Sequence, residues 1–363
     1  MRVGVLGGGQ LGRMLALAGR PLGLRFRFLE PSTPAPVDEL GAVVRAAYDD
    51  TDALDRFADG LDVVTYEFEN VPVRSARRLA ERVPVRPSPA ALEVGQDRVA
   101  EKDAFTEAGI PTAPFRGVAS LEELEAAVRA GGLPAVLKTR RFGYDGKGQA
   151  VVRTEDDIGR TWDRLGRVPL LVEAFVPFER ELSIVAVRGL DRDCRFYPLV
   201  ENVHREGILW RTTAPAPRVP AALQAEAEEY ARHLLELFDY VGVLAIELFE
   251  EGGRLLANEL APRVHNSAHW TQDGAWTSQF ENHLRAVCGL PLGPTDVRAP
   301  TVMLNLLGRI PDPAEVLRIP GARLHLYDKA PRPGRKVGHV NLVGDDGEDP
   351  GGRLARLERL AEG

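Results

Sequence analysis

Cysteine is almost absent from this sequence: Cys194 and Cys288 are the only two in 363 residues, far apart and outside any CxxC. That excludes a disulfide framework and a thiolate metal site, and predicts two buried thiols. Long apolar runs are missing too. No stretch approaches the ~20 residues that a membrane span needs. Met1-Arg2 leads straight into a glycine-rich strand, without the apolar core of a signal peptide. The expected location is the cytoplasm, with no membrane partner. Positive charge is not in excess: 46 Lys and Arg stand against 53 Asp and Glu, which argues against a nucleic-acid partner. Walker A, HExxH and nucleophile-elbow patterns do not occur. Lysine itself is scarce, at five of the 46 basic residues. Arginine fills the generic surface roles, so a retained lysine marks a place that needs a compact ammonium. Lys138, Lys147 and Lys336 sit in distinctive local sequence; Lys102 does not, and reads as chance retention.

What is present is globular material, 44% hydrophobic, in a chain long enough for two or three domains. Strand and helix signals alternate at first, with strands at 3–6, 25–29 and 63–66 and helices at 10–18 and 72–82. Such alternation predicts a parallel sheet covered on both faces. A boundary falls near Pro87-Ser88-Pro89, giving an N-terminal domain over 1–95. A middle domain over 96–295 opens with a helix at 97–108 and an extended 110–114, then a helix at 121–130 capped by Ser120. Strands follow through Lys138, Val151, Leu171 and 182–187, then a helix at 221–238, a hairpin of 243–248 with 255–260, and a helix at 276–287. Residues 296–363 read as a small β-rich appendage with a short helix at 354–360. The fold class is α/β with α+β.

Five strings carry chemistry. Gly7-Gly8-Gly9-Gln10-Leu11-Gly12 matches GxGxxG between a strand and a helix, and Glu30 ends the next strand. A dinucleotide site, another phosphate site and a bare tight turn all fit it. The loop 140–149, rich in glycine and cations, suits a lid over a polyphosphate, with Lys138 on the strand entering it. In the hairpin, a turn near Gly253 sets Glu247 opposite Glu259, where two like charges call for a cation such as Mg²⁺. Arg263, His265 and Asn266 follow directly and can bind substrate or stabilise developing charge. The cations from Tyr327 to His339 offer an anion site or a solvated basic surface.

Taken together, these strings resemble the ATP-grasp superfamily, and more narrowly the N5-carboxyaminoimidazole ribonucleotide synthetases of purine synthesis. The carrying residues are Gly9–Met14, Gly143–Gln149, Asn258–Ser267 and Arg332–His339. The resemblance implies an ATP-grasp fold with a Rossmann-like N-terminal domain, a lid at about 110–172, and a small C-terminal β-rich domain. It implies a ligase that carboxylates 5-aminoimidazole ribonucleotide with bicarbonate and ATP through carboxyphosphate, as a homodimer with Mg²⁺ or Mn²⁺. Residue by residue, Arg98, Lys138, Gly143, Tyr144, Asp145, Gly146, Lys147, Gly148 and Gln149 match ATP positions. So do Glu173, Ala174, Phe175, Val176, Glu181, His204, Asn258 and Glu259. Glu247 and Glu259 match the metal ligands. Tyr144, Asp145, Arg263, His265 and Lys336 match the catalytic set, and Gln10, Leu11, Glu67, Arg263, His265, Asn266, Arg335 and Lys336 the ribonucleotide and bicarbonate region. The alternatives are formate-dependent glycinamide ribonucleotide transformylase, an NAD-dependent dehydrogenase, and a non-catalytic nucleotide-binding regulator.

Overall fold

The computed structural model describes residues 1–143, 146–344 and 352–362. Four strands open the fold as one parallel sheet, in the order Ala42–Val44, Arg25–Leu29, Arg2–Leu6 and Val63–Tyr66. Both faces are apolar, as a parallel sheet requires. Val3, Val5, Phe26 and Phe28 pack against the helices Gln10–Gly19 and Gln279–Val287. Leu6, Leu29, Val64 and Tyr66 pack on Thr51–Ala58 and Val73–Ala80. The strand Ala42–Val44 and the helix Thr51–Ala58 were not expected from the pattern. The helix expected at 276–287 begins at Gln279, because Ser278 caps it by accepting the N–H of Glu281.

A second, antiparallel sheet runs Phe115–Val118, Leu170–Ala174, Ala135–Thr139, Gln149–Val152. Its core is filled from the helices Leu121–Gly131 and Asp157–Arg164. The glycine loop expected as a lid hangs from this sheet, between Thr139 and Gln149. The helix Arg98–Glu107 precedes it, with Asp97 as its cap.

The largest sheet is antiparallel and puts the hairpin Gly242–Glu251/Arg254–Ala261 at one end. Arg180–Arg188, Val200–Arg205 and Ile208–Ala214 follow. Thr301–Leu307 then pairs with Ile208–Ala214, and Lys336–Val343 and Ala322–Leu326 extend the sheet further. The segment expected as an appendage therefore continues the central sheet and covers what would otherwise be an open edge. Leu182, Ile184 and Ile246 pack on the helix Ala221–Leu237, while Val185, Val243 and Ala245 on the other face meet the N-terminal core. Of the two thiols, Cys288 is buried and Cys194 only half-buried.

Candidate active site

A cleft of about 1090 Å³ lies where the lid sheet, the first glycine loop and the central hairpin meet. Its floor is set by an irregularity in the hairpin. The turn rests on Gly252 and Gly253, whose φ angles of 57° and 75° suit a two-residue connection. A regular ladder from that turn would put Glu247 opposite Asn258. A bulge between Glu247 and Leu248 instead pairs Glu247 with Glu259 and makes Asn258 the extra residue. Asn258 and Glu259 consequently both line the cleft, while Ala257 is buried behind them.

Two facing carboxylates repel. Burial and the charge of Glu259 push Glu247 up to about 7. Burial acts on Glu259 in the same sense, but Arg98, 2.8 Å away, and Lys138 outweigh it and hold that carboxyl low. Among the described residues, no group of three or more His, Cys, Asp or Glu could hold a metal ion. Two carboxylates beside a polyphosphate-sized cleft fit a hard divalent cation that takes its other oxygens from phosphate and water.

Above the floor, Glu173 is gripped by two lysines, Lys138 at 2.6 Å and Lys102 at 2.7 Å. Its carboxyl is buried, yet the two ammonium charges hold it below the ordinary range. Lys138 also donates to Asn258 Oδ1 at 2.9 Å. The loop is tied down at its root, where Arg140 and Arg141 pair with Asp97 at 2.7 and 2.9 Å. Phe178 and Phe249 stack at 4.6 Å on the apolar part of the wall, beyond Phe175 and Val176.

The glycine loop of the first sheet reaches the cleft with its amides already engaged. Glu30 accepts from Gly8 N–H at 2.8 Å. Glu67 accepts from Gly9 and Gly12 N–H at 3.0 and 3.2 Å. Protein carboxylates thus occupy the positions that a dinucleotide pyrophosphate would need. Glu30 also takes the hydroxyl of Tyr48 at 3.0 Å and is a brace for the loop.

On the opposite wall, Arg263 Nε donates to Glu69, and this pair outweighs the effect of burial to hold Glu69 low. Both backbone groups of His265 are held by Gln279, at 2.8 and 2.6 Å. Its Nδ1 accepts from Ser267 N–H at 3.4 Å, which leaves the proton on Nε2, 3.3 Å from Glu247. Burial, reinforced by Arg263, pushes His265 down to about 3, so the ring is neutral. His204 behaves in the opposite way: burial opposes its charge, but the ion pair with Glu181 and the nearby Glu247 raise it. Lys329 donates to Gln10, and burial pulls its ammonium down to about 8.

The cleft is lined by Gln10, Leu11, Glu67, Arg98, Lys138, Gly143, Gly146, Lys147, Gln149, Glu173, Ala174, Phe175, Val176, Glu181 and His204. Glu247, Asn258, Glu259, Arg263, His265, Asn266 and Lys336 complete the set drawn together from across the sequence. Gly148 and Arg335 do not line it; Arg335 Nη1 turns back to the carbonyl of Ala330 at 3.2 Å. His339, at the end of the basic string, is wholly buried and 2.7 Å from the Tyr327 hydroxyl, so it belongs to the core and not to an anion site. Tyr144 and Asp145 lie outside the described residues. Two positions tied to the cleft's residues escaped sequence reasoning. Glu69 follows Glu67 by two residues and holds Arg263. Lys102, expected to be an accident of composition, is instead a buried partner of Glu173.

Three family models match in succession: a ribonucleotide synthetase preATP-grasp domain over 1–96, an ATP-grasp domain over 103–280, and a phosphoribosylaminoimidazole carboxylase C-terminal domain over 301–350. The chain is 51% identical over 362 residues to the N5-carboxyaminoimidazole ribonucleotide synthase of Pseudomonas aeruginosa, with each sequence fully covered. It superposes on the crystal structure of the corresponding synthetase from Thermus thermophilus with a TM-score of 0.94, at 56% identity and 99% and 98% coverage. Against the Aspergillus clavatus synthase, solved with ADP and 5-aminoimidazole ribonucleotide, the TM-score is 0.92 at 32% identity, with coverage of 99% and 98%. A cleft in which paired carboxylates stand beside Arg263, His265 and Lys336 therefore sits in a frame matched end to end, and the chain belongs to the N5-carboxyaminoimidazole ribonucleotide synthase family of ATP-grasp ligases.

Proposed function

We infer that this protein carboxylates 5-aminoimidazole ribonucleotide with bicarbonate at the expense of ATP, giving the N5-carbamate, ADP and phosphate. The observation that carries the site assignment is the bulged hairpin: Glu247, Asn258 and Glu259 face one cleft with Lys138 and Arg98 above them. A bicarbonate oxygen attacks the γ-phosphorus, and the bond to the bridging oxygen breaks to release ADP. The exocyclic amine then bonds to the carboxyl carbon of carboxyphosphate, or of CO₂ released from it. Phosphate leaves and the nitrogen loses a proton.

The residues divide this work by position. Glu173 to Val176, with the Phe178–Phe249 stack, would hold the nucleoside of ATP, and Glu181 and His204 its ribose side. Lys138 and the loop 143–149, Tyr144 and Asp145 included, would close over the phosphates and exclude water from the activated carboxyl. Glu247 and Glu259 would hold Mg²⁺ or Mn²⁺, which neutralises charge on the phosphoryl oxygens. His265, neutral with its proton on Nε2, can donate a hydrogen bond to bicarbonate without adding a charge, and Arg263 supplies that charge beside it. Gln10, Leu11, Glu67, Asn266, Lys336 and, more remotely, Arg335 would serve the ribonucleotide. We divide the chain at 95 and 295 and assign it to a homodimer in the cytoplasm, to be checked by light scattering. Among the described residues no helix is long and apolar enough to cross a membrane.

The test is ADP release with Mg-ATP, adding aminoimidazole ribonucleotide and bicarbonate separately and together, with trapping of the carbamate. Turnover that requires the ribonucleotide supports the reading. ADP release with formate and glycinamide ribonucleotide in its place would overturn it in favour of the transformylase.

A further inference from the structure

The first two turns of the helix Arg98–Glu107 grip the bulged segment 257–260 at four points. Arg98 reaches the Glu259 carboxylate at 2.8 Å, and Glu101 accepts the N–H of Leu260 at 2.6 Å. Lys102 donates to the carbonyls of Ala257 and Asn258 at 3.2 and 2.7 Å. A bulge interrupts the ladder and leaves backbone groups to be satisfied elsewhere. Here side chains one turn apart on a neighbouring helix satisfy them.

Lys102 has a further contact, Glu173 Oε1 at 2.7 Å, while Lys138 takes Oε2 of the same carboxylate. An ammonium carries three donors, and the three short contacts of Lys102 at Glu173, Asn258 and Ala257 use them all. The side chain is 1% exposed and does not line the cleft, so it touches no substrate. Lys138 spends two donors, on Glu173 and Asn258, and lines the cleft with the third. The acceptors around Lys102 come from the lid sheet and from the carboxylate-bearing strand. They surround a point, which suits an ammonium and not a planar fork. That accounts for a lysine kept in a chain that otherwise uses arginine.

We propose that Lys102 is a positioning residue for ATP: it fixes the bulge that turns Asn258 and Glu259 into the cleft, and it shares Glu173 so that Lys138 keeps a donor for the nucleotide phosphates. This rests on the ATP assignment above. A buried ion pair with only a structural role would lower stability and active fraction without changing the constants of the folded molecules. A positioning role separates the two substrates.

Lys102→Met keeps the stem and removes the donors. The folded variant is expected to show a KM for ATP raised at least about tenfold, with the KM for aminoimidazole ribonucleotide within about twofold of the parent. ADP affinity by calorimetry should fall in parallel. Lys102→Gln, which keeps two N–H donors, is expected between parent and Met variant, and Lys102→Arg should not restore ATP affinity. An unchanged ADP affinity and ATP KM in folded Lys102→Met would overturn the proposal. Equal shifts for both substrates, or failure of both the Met and Gln variants to fold, would do the same. Absence of turnover in the unsubstituted protein would count against the functional reading alone, because ADP affinity still judges Lys102.

Discussion

Glu259→Gln separates the proposed metal role of this carboxylate from its role as partner of Arg98. The substitution is nearly isosteric and leaves an oxygen that Arg98 can still meet. Removing one partner of a buried pair costs about 3–5 kcal/mol, but the Glu259 side chain is 36% exposed, so the lower end, about 3 kcal/mol, is an upper bound once solvent screening is included. Against this stands the repulsion from Glu247. Directly opposed strand side chains lie roughly 5 Å apart, which at an effective dielectric of about 20 corresponds to roughly 3 kcal/mol. The two terms offset each other, and the melting temperature should move by less than about 4 °C. Mg²⁺-dependent ADP release, in contrast, should fall by about a thousandfold if one of the two proposed metal carboxylates is gone. Thermal unfolding by circular dichroism and coupled ADP release measure the two effects on one preparation. Turnover above about a tenth of the parent would refute the metal assignment. A much larger fall in melting temperature would show that Glu259 serves chiefly to neutralise Arg98.

Glu247 gives a pH signature. Its pKa is raised in the folded protein, so without metal its contribution to stability is present when it is protonated and is lost as pH rises through about 7. A bound cation requires the ionised form, so the apparent Mg²⁺ affinity should weaken as pH falls from about 8 to about 6; a pH-independent activation constant would contradict this. Glu30→Ala strands the buried amide of Gly8 and should cost about 1–3 kcal/mol of stability by urea unfolding; an unchanged midpoint would remove Glu30 as the brace of the loop. Lys336→Ala should raise the KM for the ribonucleotide more than that for ATP, in steady-state kinetics with each substrate varied. A shift confined to ATP would move Lys336 to the nucleotide end.

Strands 25–29 and 63–66 were legible to the residue because Arg25 to Phe28 alternates polar and apolar side chains before the stop at Glu30, and Val63 to Tyr66 is bounded by Asp62 and Glu67. The strand Ala42–Val44 was not. It is three residues long, and its pairing with Arg27 to Leu29 decides its conformation more than its own composition does. Glu247 does face Glu259, but a regular ladder from the Gly252–Gly253 turn would have faced it with Asn258; the opposition exists only through the bulge, which is met by acceptors and donors from the helix Arg98–Glu107. Lys102 was misread for the same reason: its partner carbonyl at Asn258 is 156 residues away, and no local periodicity distinguishes a buried ion pair from an exposed lysine on a helix. Glu69 lay within reach, two positions beyond Glu67, but nothing local tied it to Arg263.

The first glycine loop shows why a motif and its ligand are separate questions. GxGxxG specifies a tight turn, a close approach of the backbone and a helix N-terminus with amides to satisfy. It does not specify that the anion comes from outside. Here Gly7 has a φ of 104°, and an added Cβ would lie 2.6 Å from Glu67 Cγ, so the glycine makes room for a carboxylate of the protein itself. With Glu30 and Glu67 already on the amides of Gly8, Gly9 and Gly12, a phosphate brought to this end of the cleft would meet negative charge at the turn. It must be held by cations from another element, and Lys329 and Lys336 are delivered to the same wall by the strand and loop that extend the central sheet. The Lys329–Gln10 contact then joins the two ends of the chain across the substrate cleft. On the proposed assignment the Rossmann-like domain would shape and orient the site, while the positive charge for a ribonucleotide phosphate would come from Lys329 and Lys336 of the C-terminal segment.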